Sequence, residues 1–274
     1  MNISAETRPF AILGNPVQHT LSPVMHNAAF RAEDLDAVYV ALQCTEADVP
    51  SLMRSLAGGN VTIPHKGTAA RALDRATTRV QRTSACNTFW FDGKRLYGDN
   101  TDVIGFSVAL RRLLSDPAGA RVLIIGAGGA ARAAVHALLE DDVDQITVLA
   151  RHRRRKAEIE NVAGRRHRRV DVVGNEKLLR NEGFDLVVNA TPLGMNPKDA
   201  LPFKLEKLGG VRAVFDMVYR QGGTAWASRA AASGIPAIDG TEMLLQQAAA
   251  AFEIWWDIDA PIEVMRKAIA APHK

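Results

Sequence analysis

The first apolar run, Phe10-Ala11-Ile12-Leu13, breaks at Gly14-Asn15-Pro16, the pattern of a buried strand ending in a turn. Ser22-Pro23 then opens a stretch with Met25, Ala29 and Phe30 apolar at helical spacing, Ser suiting an N-cap and Pro the first turn. Residues 38–42 read as a second strand and 49–56 as a second helix. Gly58-Gly59 reads as a turn into a third strand, with Pro64 starting a helix that runs to residue 73. Such β–α alternation predicts a mostly parallel sheet. A fresh unit starts at Arg121-Val122-Leu123-Ile124-Ile125, continues through an alanine-rich helix to Leu139, and has further strands at 145–150, 184–189 and 213–218. Residues 243–256 form a helix rich in Ala and aromatic side chains. Its apolar surface is too broad for a solvated tail, so it is expected to dock.

Composition fits a globular α/β protein, with 47% hydrophobic and 23% charged residues. The apolar runs are too short for a membrane span, and no secretory h-region precedes Phe10. Cys44 and Cys86 have no metal-like spacing, so the expectation is a reduced, cytoplasmic protein without a metal. The net charge of +4 comes largely from two clusters, 151–156 and 165–169. No aromatic residue interleaves them to stack bases. A solvated face or a small phosphate site is therefore favoured over nucleic acid.

Gly126-x-Gly128-x-x-Ala131 follows the strand at 121–125 directly and opens a helix. A dinucleotide loop needs a tight turn at the first Gly, close backbone approach to pyrophosphate at the second, and a small residue at the third. The helix N-terminus then offers amide donors to the phosphates. An NAD site usually has an acid at the end of the next strand. Here that stretch is Leu149-Ala150-Arg151-His152-Arg153-Arg154-Arg155-Lys156, with no acid, which favours NADP through arginine contacts to a 2′-phosphate.

Three polar segments lie outside this block. His19-Thr20-Leu21-Ser22-Pro23 can hold a carboxylate through hydroxyls and free amides, or Ser22 can simply cap its helix. Lys66 falls in the opening turn of a helix, where the dipole disfavours a cation, a mismatch that hints at proton transfer. Asn87-Thr88 is followed by Gly98-Asp99-Asn100-Thr101-Asp102, in which Asp102 can be an N-cap or a functional acid. None of these identifies a reaction by itself.

Their order is more informative. Gly14-Asn15-Pro16, Ser22-Pro23, the 60–66 run, Asn87-Thr88 and Asn100-Thr101-Asp102 precede the glycine loop. Asn189-Ala190-Thr191-Pro192-Leu193-Gly194-Met195, Asp216-Met217-Val218-Tyr219 and Met243-Leu244-Leu245-Gln246-Gln247-Ala248 follow it. From about Phe10 to Trp256 this order resembles the shikimate dehydrogenase family of shikimate and quinate dehydrogenases. The resemblance implies an N-terminal α/β substrate domain, a Rossmann-type NADP-binding domain and a C-terminal helix returning to the first, with boundaries at 1–103 plus 240–274 and 104–239. It implies Lys66 and Asp102 as the catalytic pair in the reversible reduction of 3-dehydroshikimate. Thr20 and Ser22 then take the substrate carboxylate, with Tyr219 near it, while Asn60, Thr62, Asn87 and Gln247 take the ring hydroxyls. Gly126, Gly128, Gly129 and Ala130 match the pyrophosphate loop, Arg151 and Arg155 the 2′-phosphate pair, and Thr191 and Met243 the ribose and nicotinamide. The implied partner is a small ring hydroxy acid, with no nucleic acid and no membrane, in a monomer or homodimer. Thr20 stands where shikimate-specific members usually have Ser, which leaves quinate or a related cyclic hydroxy acid as an alternative substrate. A non-catalytic NADP(H)- or metabolite-sensing protein is the alternative from another class.

Overall fold

The computed structural model describes residues 3–150, 153–179 and 181–271. They form two compact units, one of Met1–Gly105 with Leu245–Lys274 and one of Phe106–Leu244. These divisions fall at 105/106 and 244/245, against sequence boundaries of 103/104 and 239/240.

In the first unit, β1 (Arg8–Gly14), α1 (Ser22–Ala32), β2 (Ala37–Gln43), α2 (Val49–Ser55) and β3 (Gly58–Val61) alternate as the apolar runs predict. They are followed by α3 (Lys66–Ala72), β4 (Arg75–Ala76), α4 (Thr78–Thr83), β5 (Thr88–Asp92), β6 (Arg95–Asp99) and α5 (Asp102–Leu113). The sheet order is β2-β1-β3-β5-β6-β4. It is mixed, because β5 pairs antiparallel with both β3 and β6. The expected parallel pairing holds for β2–β1, β1–β3 and β4–β6, and β5 alone runs against its neighbours. Asp92 pairs with Arg95 across a two-residue loop whose Gly93 has φ +58°, the backbone of a hairpin turn. Asp92-Gly93 between aromatic runs was the legible signal for that hairpin.

Three local expectations need correction. Gly58 and Gly59 lie within β3 rather than in a turn before it. A Cβ on Gly59 would sit 2.1 Å from the Ala11 carbonyl oxygen and 3.1 Å from the Phe89 ring, so strand pairing itself demands glycine. Gly59→Ala is expected to cost about 3 kcal/mol or more, because the clash is with backbone that cannot rotate away. A urea titration showing an unchanged midpoint would refute this. The helix expected from Pro64 begins at Lys66, after the Thr62 carbonyl accepts the His65 amide and closes a turn. Ser22 is not an N-cap either. Leu21 occupies that position without a side-chain cap, and the Ser22 amide donates to Thr20 Oγ1 at 3.3 Å.

In the second unit, β7 (Arg121–Ile125), α6 (Gly129–Glu140), β8 (Gln145–Leu149), α7 (Arg153–Ala163), β9 (Val170–Val173), β10 (Gly183–Asn189), β11 (Gly210–Asp216), α8 (Ala225–Ala232) and β12 (Ala237–Ile238) build an all-parallel sheet. Its order, β12-β11-β10-β7-β8-β9, is that of a doubly wound nucleotide-binding sheet. The central strands read as unbroken apolar runs because helices cover both faces. Leu123, Val187, Val214 and Trp226 pack in one of the resulting cores. The second basic cluster closes a helix end. Arg166 donates to the Leu139 carbonyl, and Arg169 donates to Val143 O and, at 2.7 Å, to Asp142 Oδ1. Cations are favoured at that terminus of α6.

α9 (Thr241–Trp256) and α10 (Ile262–Ala270) end the chain. The expected docking of the C-terminal helix is seen within the first unit: the Trp255 and Trp256 rings lie 4.9 and 5.6 Å from Phe10, and Trp255 Nε1 donates to Phe89 O. α10 packs on α1. Beneath Trp255, His26 is fully buried and stacks on Tyr39 with ring centroids 4.5 Å apart. Neither of its ring nitrogens has a partner among the described residues.

Burial pushes the His26 pKa down to about 3. The folded state keeps the ring neutral while the unfolded chain protonates below the ordinary histidine value, so stability is present above about pH 6.5 and is lost towards pH 3. His26→Phe is expected to remove about 1.4 kcal/mol per pH unit of this slope near pH 5. Denaturation midpoints of the two proteins running parallel from pH 7 to 4 would refute the assignment.

Candidate active site and dinucleotide loop

The polar segments of the first unit converge at one end of its sheet. β1 and β3 are parallel and β5 runs back against β3, so Asn60 near the end of β3 faces Thr88 at the start of β5, and Thr88 faces Asp99 at the end of β6. α3 and α5 begin just beyond β3 and β6, which puts Lys66 and Asp102 in opening helical turns. Lys66 Nζ lies 2.5 Å from Asp102 Oδ2, and their side chains are 16% and 8% exposed. The ammonium is therefore held without being sealed from solvent. Asp102 does not act as an N-cap: it is the first residue of α5, and its other oxygen accepts from Asn87 Nδ2 at 2.9 Å. A carboxylate there is also favoured by the helix dipole.

Asn87 organises the site. Its Nδ2 also points to Thr101 Oγ1 at 3.0 Å and Gln247 Oε1 at 3.3 Å, and its Oδ1 accepts the Thr101 amide at 2.7 Å. Asn60 Nδ2 donates to Thr88 Oγ1 at 2.7 Å and to Asn87 O at 3.1 Å. The Tyr39 hydroxyl donates to Asn60 Oδ1 at 2.6 Å. Burial pushes this phenol well above its ordinary range, against its contacts with Asn60 and Ser22. Ser22 Oγ accepts from Thr20 Oγ1 at 3.2 Å.

Lys66, Asp102, Asn87, Gln247, Asn60, Ser22 and Thr20 are thus joined by one chain of polar contacts. Thr62 stands half-buried beside it, its amide bonded to Leu13 O. Tyr39, Thr88 and Thr101 also belong to this chain, with no sequence motif that assigns them to it. Thr88 and Thr101 sat inside quoted motifs, but Tyr39 looked like one more apolar residue of β2.

In the second unit the glycine loop fits a pyrophosphate. Gly126 has φ +106°, and a Cβ there would meet the Ala190 carbonyl oxygen at 3.0 Å, so the turn needs glycine. Gly128, at the N-cap of α6, has no heavy atom within 4 Å of a built Cβ. That open space beside free helix amides is where a phosphate fits. Gly129 and Ala130 begin α6, and Ala131 is fully buried against the sheet. Thr191 Oγ1 donates to Asn189 Oδ1 at 2.7 Å, and Asn189 Nδ2 donates to Asp216 Oδ1 at 2.8 Å. Both acceptor strands end here, at the carboxyl edge of the sheet, the edge that binds nucleotides in such folds. Met243 is buried and Tyr219 half-buried. Arg155 bonds Glu158 Oε2 at 2.8 Å, while Arg151 lies outside the described residues.

Family models match in three parts: the shikimate dehydrogenase substrate binding domain over residues 12–89, shikimate / quinate 5-dehydrogenase over 108–193, and the shikimate 5′-dehydrogenase C-terminal domain over 240–270. The shikimate dehydrogenase (NADP(+)) of Salinibacter ruber is 38% identical, with 99% of this chain and 100% of the relative covered. The chain belongs to the shikimate dehydrogenase family. Shikimate dehydrogenase folds match throughout. The Thermus thermophilus enzyme, solved in complex with shikimate, has a TM-score of 0.81 at 32% identity, covering 95% of this chain and 97% of that one. A shikimate dehydrogenase solved in complex with NADP+ has a TM-score of 0.85 at 32% identity, covering 98% and 96%. In this shikimate dehydrogenase family member, the motifs read as ordered signatures are the turns and strand ends that carry the polar chain and the glycine loop.

Proposed function

We propose that the protein catalyses the reversible, NADP-dependent reduction of 3-dehydroshikimate to shikimate, with Lys66 and Asp102 as its catalytic pair. The observation that carries this reading is the part-buried Lys66–Asp102 contact braced by Asn87. NADPH, when bound at Gly126, Gly128, Gly129 and Ala130, supplies the hydride. As the ring carbonyl carbon is reduced, negative charge grows on its oxygen. Lys66 Nζ donates the proton there. Asp102 hydrogen-bonds the same hydroxyl and orients the ammonium, and Asn87 fixes the carboxylate that does so.

Thr20 and Ser22 bind the substrate carboxylate through their hydroxyls, beside the N-terminus of α1. Asn60, Thr62, Asn87 and Gln247 bind ring hydroxyls in this reading. Arg151 and Arg155 take the 2′-phosphate, and Tyr219, Thr191 and Met243 retain the roles that the family pattern implies. The extra methyl of Thr20 relative to Ser favours testing quinate as a second substrate.

Steady-state kinetics with shikimate and quinate against NADP+ and NAD+ test all of this together. The highest kcat/KM is expected for shikimate with NADP+. Turnover of neither ring acid, with NADP+ binding intact, would replace the enzyme by a sensor.

A further inference from the structure

Arg132 follows the glycine loop on α6, and its side chain is only 8% exposed. A guanidinium this deep needs an anionic partner, since an unpaired buried charge is strongly destabilising. Glu158 Oε2, from α7, is that partner. The same oxygen accepts from Arg155 Nη1 at 2.8 Å, three residues back on α7. Arg155 itself is 48% exposed, and among the described residues Glu158 is its only hydrogen-bond partner. Its remaining N–H donors meet no acceptor among the described residues.

We propose that Glu158 is a positioning residue for cofactor choice, holding Arg155 in place for the 2′-phosphate of NADP by being anchored itself on buried Arg132. The inference rests on Arg155 reading the 2′-phosphate, as proposed above. Its physical logic is pre-organisation. A free surface arginine loses side-chain entropy when it binds a phosphate, whereas one already tethered at Nη1 loses less. Arg132 is what keeps the tether still. It is buried, it comes from the helix whose N-terminus receives the pyrophosphate, and it fixes the distance between that helix and α7. A carboxylate beside a phosphate site would ordinarily repel the ligand. Here two guanidinium groups neutralise it, leaving net positive charge on the cluster.

The test is direct binding, by titration calorimetry, of NADP+, NAD+ and 2′,5′-ADP to the full chain and its variants. Glu158→Gln is expected to weaken NADP+ and 2′,5′-ADP by about tenfold, the scale of coupling within one ion-pair network, with NAD+ changed less than about twofold. In an Arg155→Ala background the same substitution is expected to have no further effect on either 2′-phosphate ligand. A residue of purely structural importance would weaken all three ligands alike, or weaken them equally with and without Arg155. Either result overturns the proposal, as does no effect at all.

Should Glu158→Gln fold poorly by stranding Arg132, the paired Arg132→Met with Glu158→Leu removes both charges together. It is expected to fold and to show the same selective loss. If Arg155→Ala alone leaves 2′,5′-ADP binding intact, the 2′-phosphate assignment itself fails. That outcome is distinguishable from failure of the Glu158 tether, which leaves the Arg155 effect in place.

Discussion

Lys66→Ala is expected to lower kcat by about 10²–10⁴, the usual worth of a positioned general acid, with little change in the KM for the ring acid. Lys66 sits at the first residue of α3, where the helix dipole disfavours a cation, and Asp102 offsets that cost at 2.5 Å. The Lys66 side chain is 16% exposed, while Asp102, Asn87 and Asn60 beside it are buried, which fits a group that exchanges a proton with a bound ligand. Removing it takes away an interaction realised as charge develops on the carbonyl oxygen, so the loss belongs in kcat. Lys66→Arg keeps the charge on a group that does not release its proton near neutral pH, and it is expected to leave the KM little changed without restoring turnover. NADPH oxidation at saturating 3-dehydroshikimate measures both variants. A raised KM with kcat intact would show that Lys66 only binds.

Asp102→Asn is expected to lower kcat and kcat/KM together by about 10²-fold, comparable to removing one preorganised stabilising group. The amide cannot satisfy both neighbours of the carboxylate. If its oxygen faces Asn87 Nδ2, its NH₂ opposes the Lys66 ammonium; if it turns over, two NH₂ groups meet at Asn87. Either arrangement displaces the Lys66 ammonium from its present place beside residue 102, where the proposed proton transfer needs it. Circular dichroism and the melting temperature check that the fold persists, since Asn87 keeps its bonds to Thr101. Turnover within about threefold of the parent enzyme would remove Asp102 from the catalytic pair.

Much of the fold was legible because each central strand of the second unit is a continuous apolar run, and the glycine loop falls at a strand–helix junction. Tyr39 was not legible as a site residue. A phenol in an alternating strand looks like packing until Asn60, 21 residues away, is brought to its hydroxyl. The β5–β6 hairpin lies between the polar segments Asn87-Thr88 and Asn100-Thr101-Asp102, whose chemistry drew attention away from the Asp92-Gly93 turn signal. Ser22 and Asp102 both fit the side-chain preferences of an N-cap, and both turned out to sit inside their helices with side chains committed to the polar network. Preference at a helix start is a local rule, and contacts with Thr20 and Tyr39 at Ser22, and with Lys66 and Asn87 at Asp102, overrode it here.

By itself the sequence determined the α/β class, the doubly wound second unit, the dinucleotide loop and the order of motifs that marks the family. These depend on periodicity and on neighbours within a few residues, where backbone sterics and burial act directly. The tertiary structure alone decided that Lys66 meets Asp102, that Asn87 braces the pair, and that Glu158 joins Arg132 to Arg155. Each of those contacts closes through strand register or helix packing, and no local spacing encodes which polar side chains such packing will bring together.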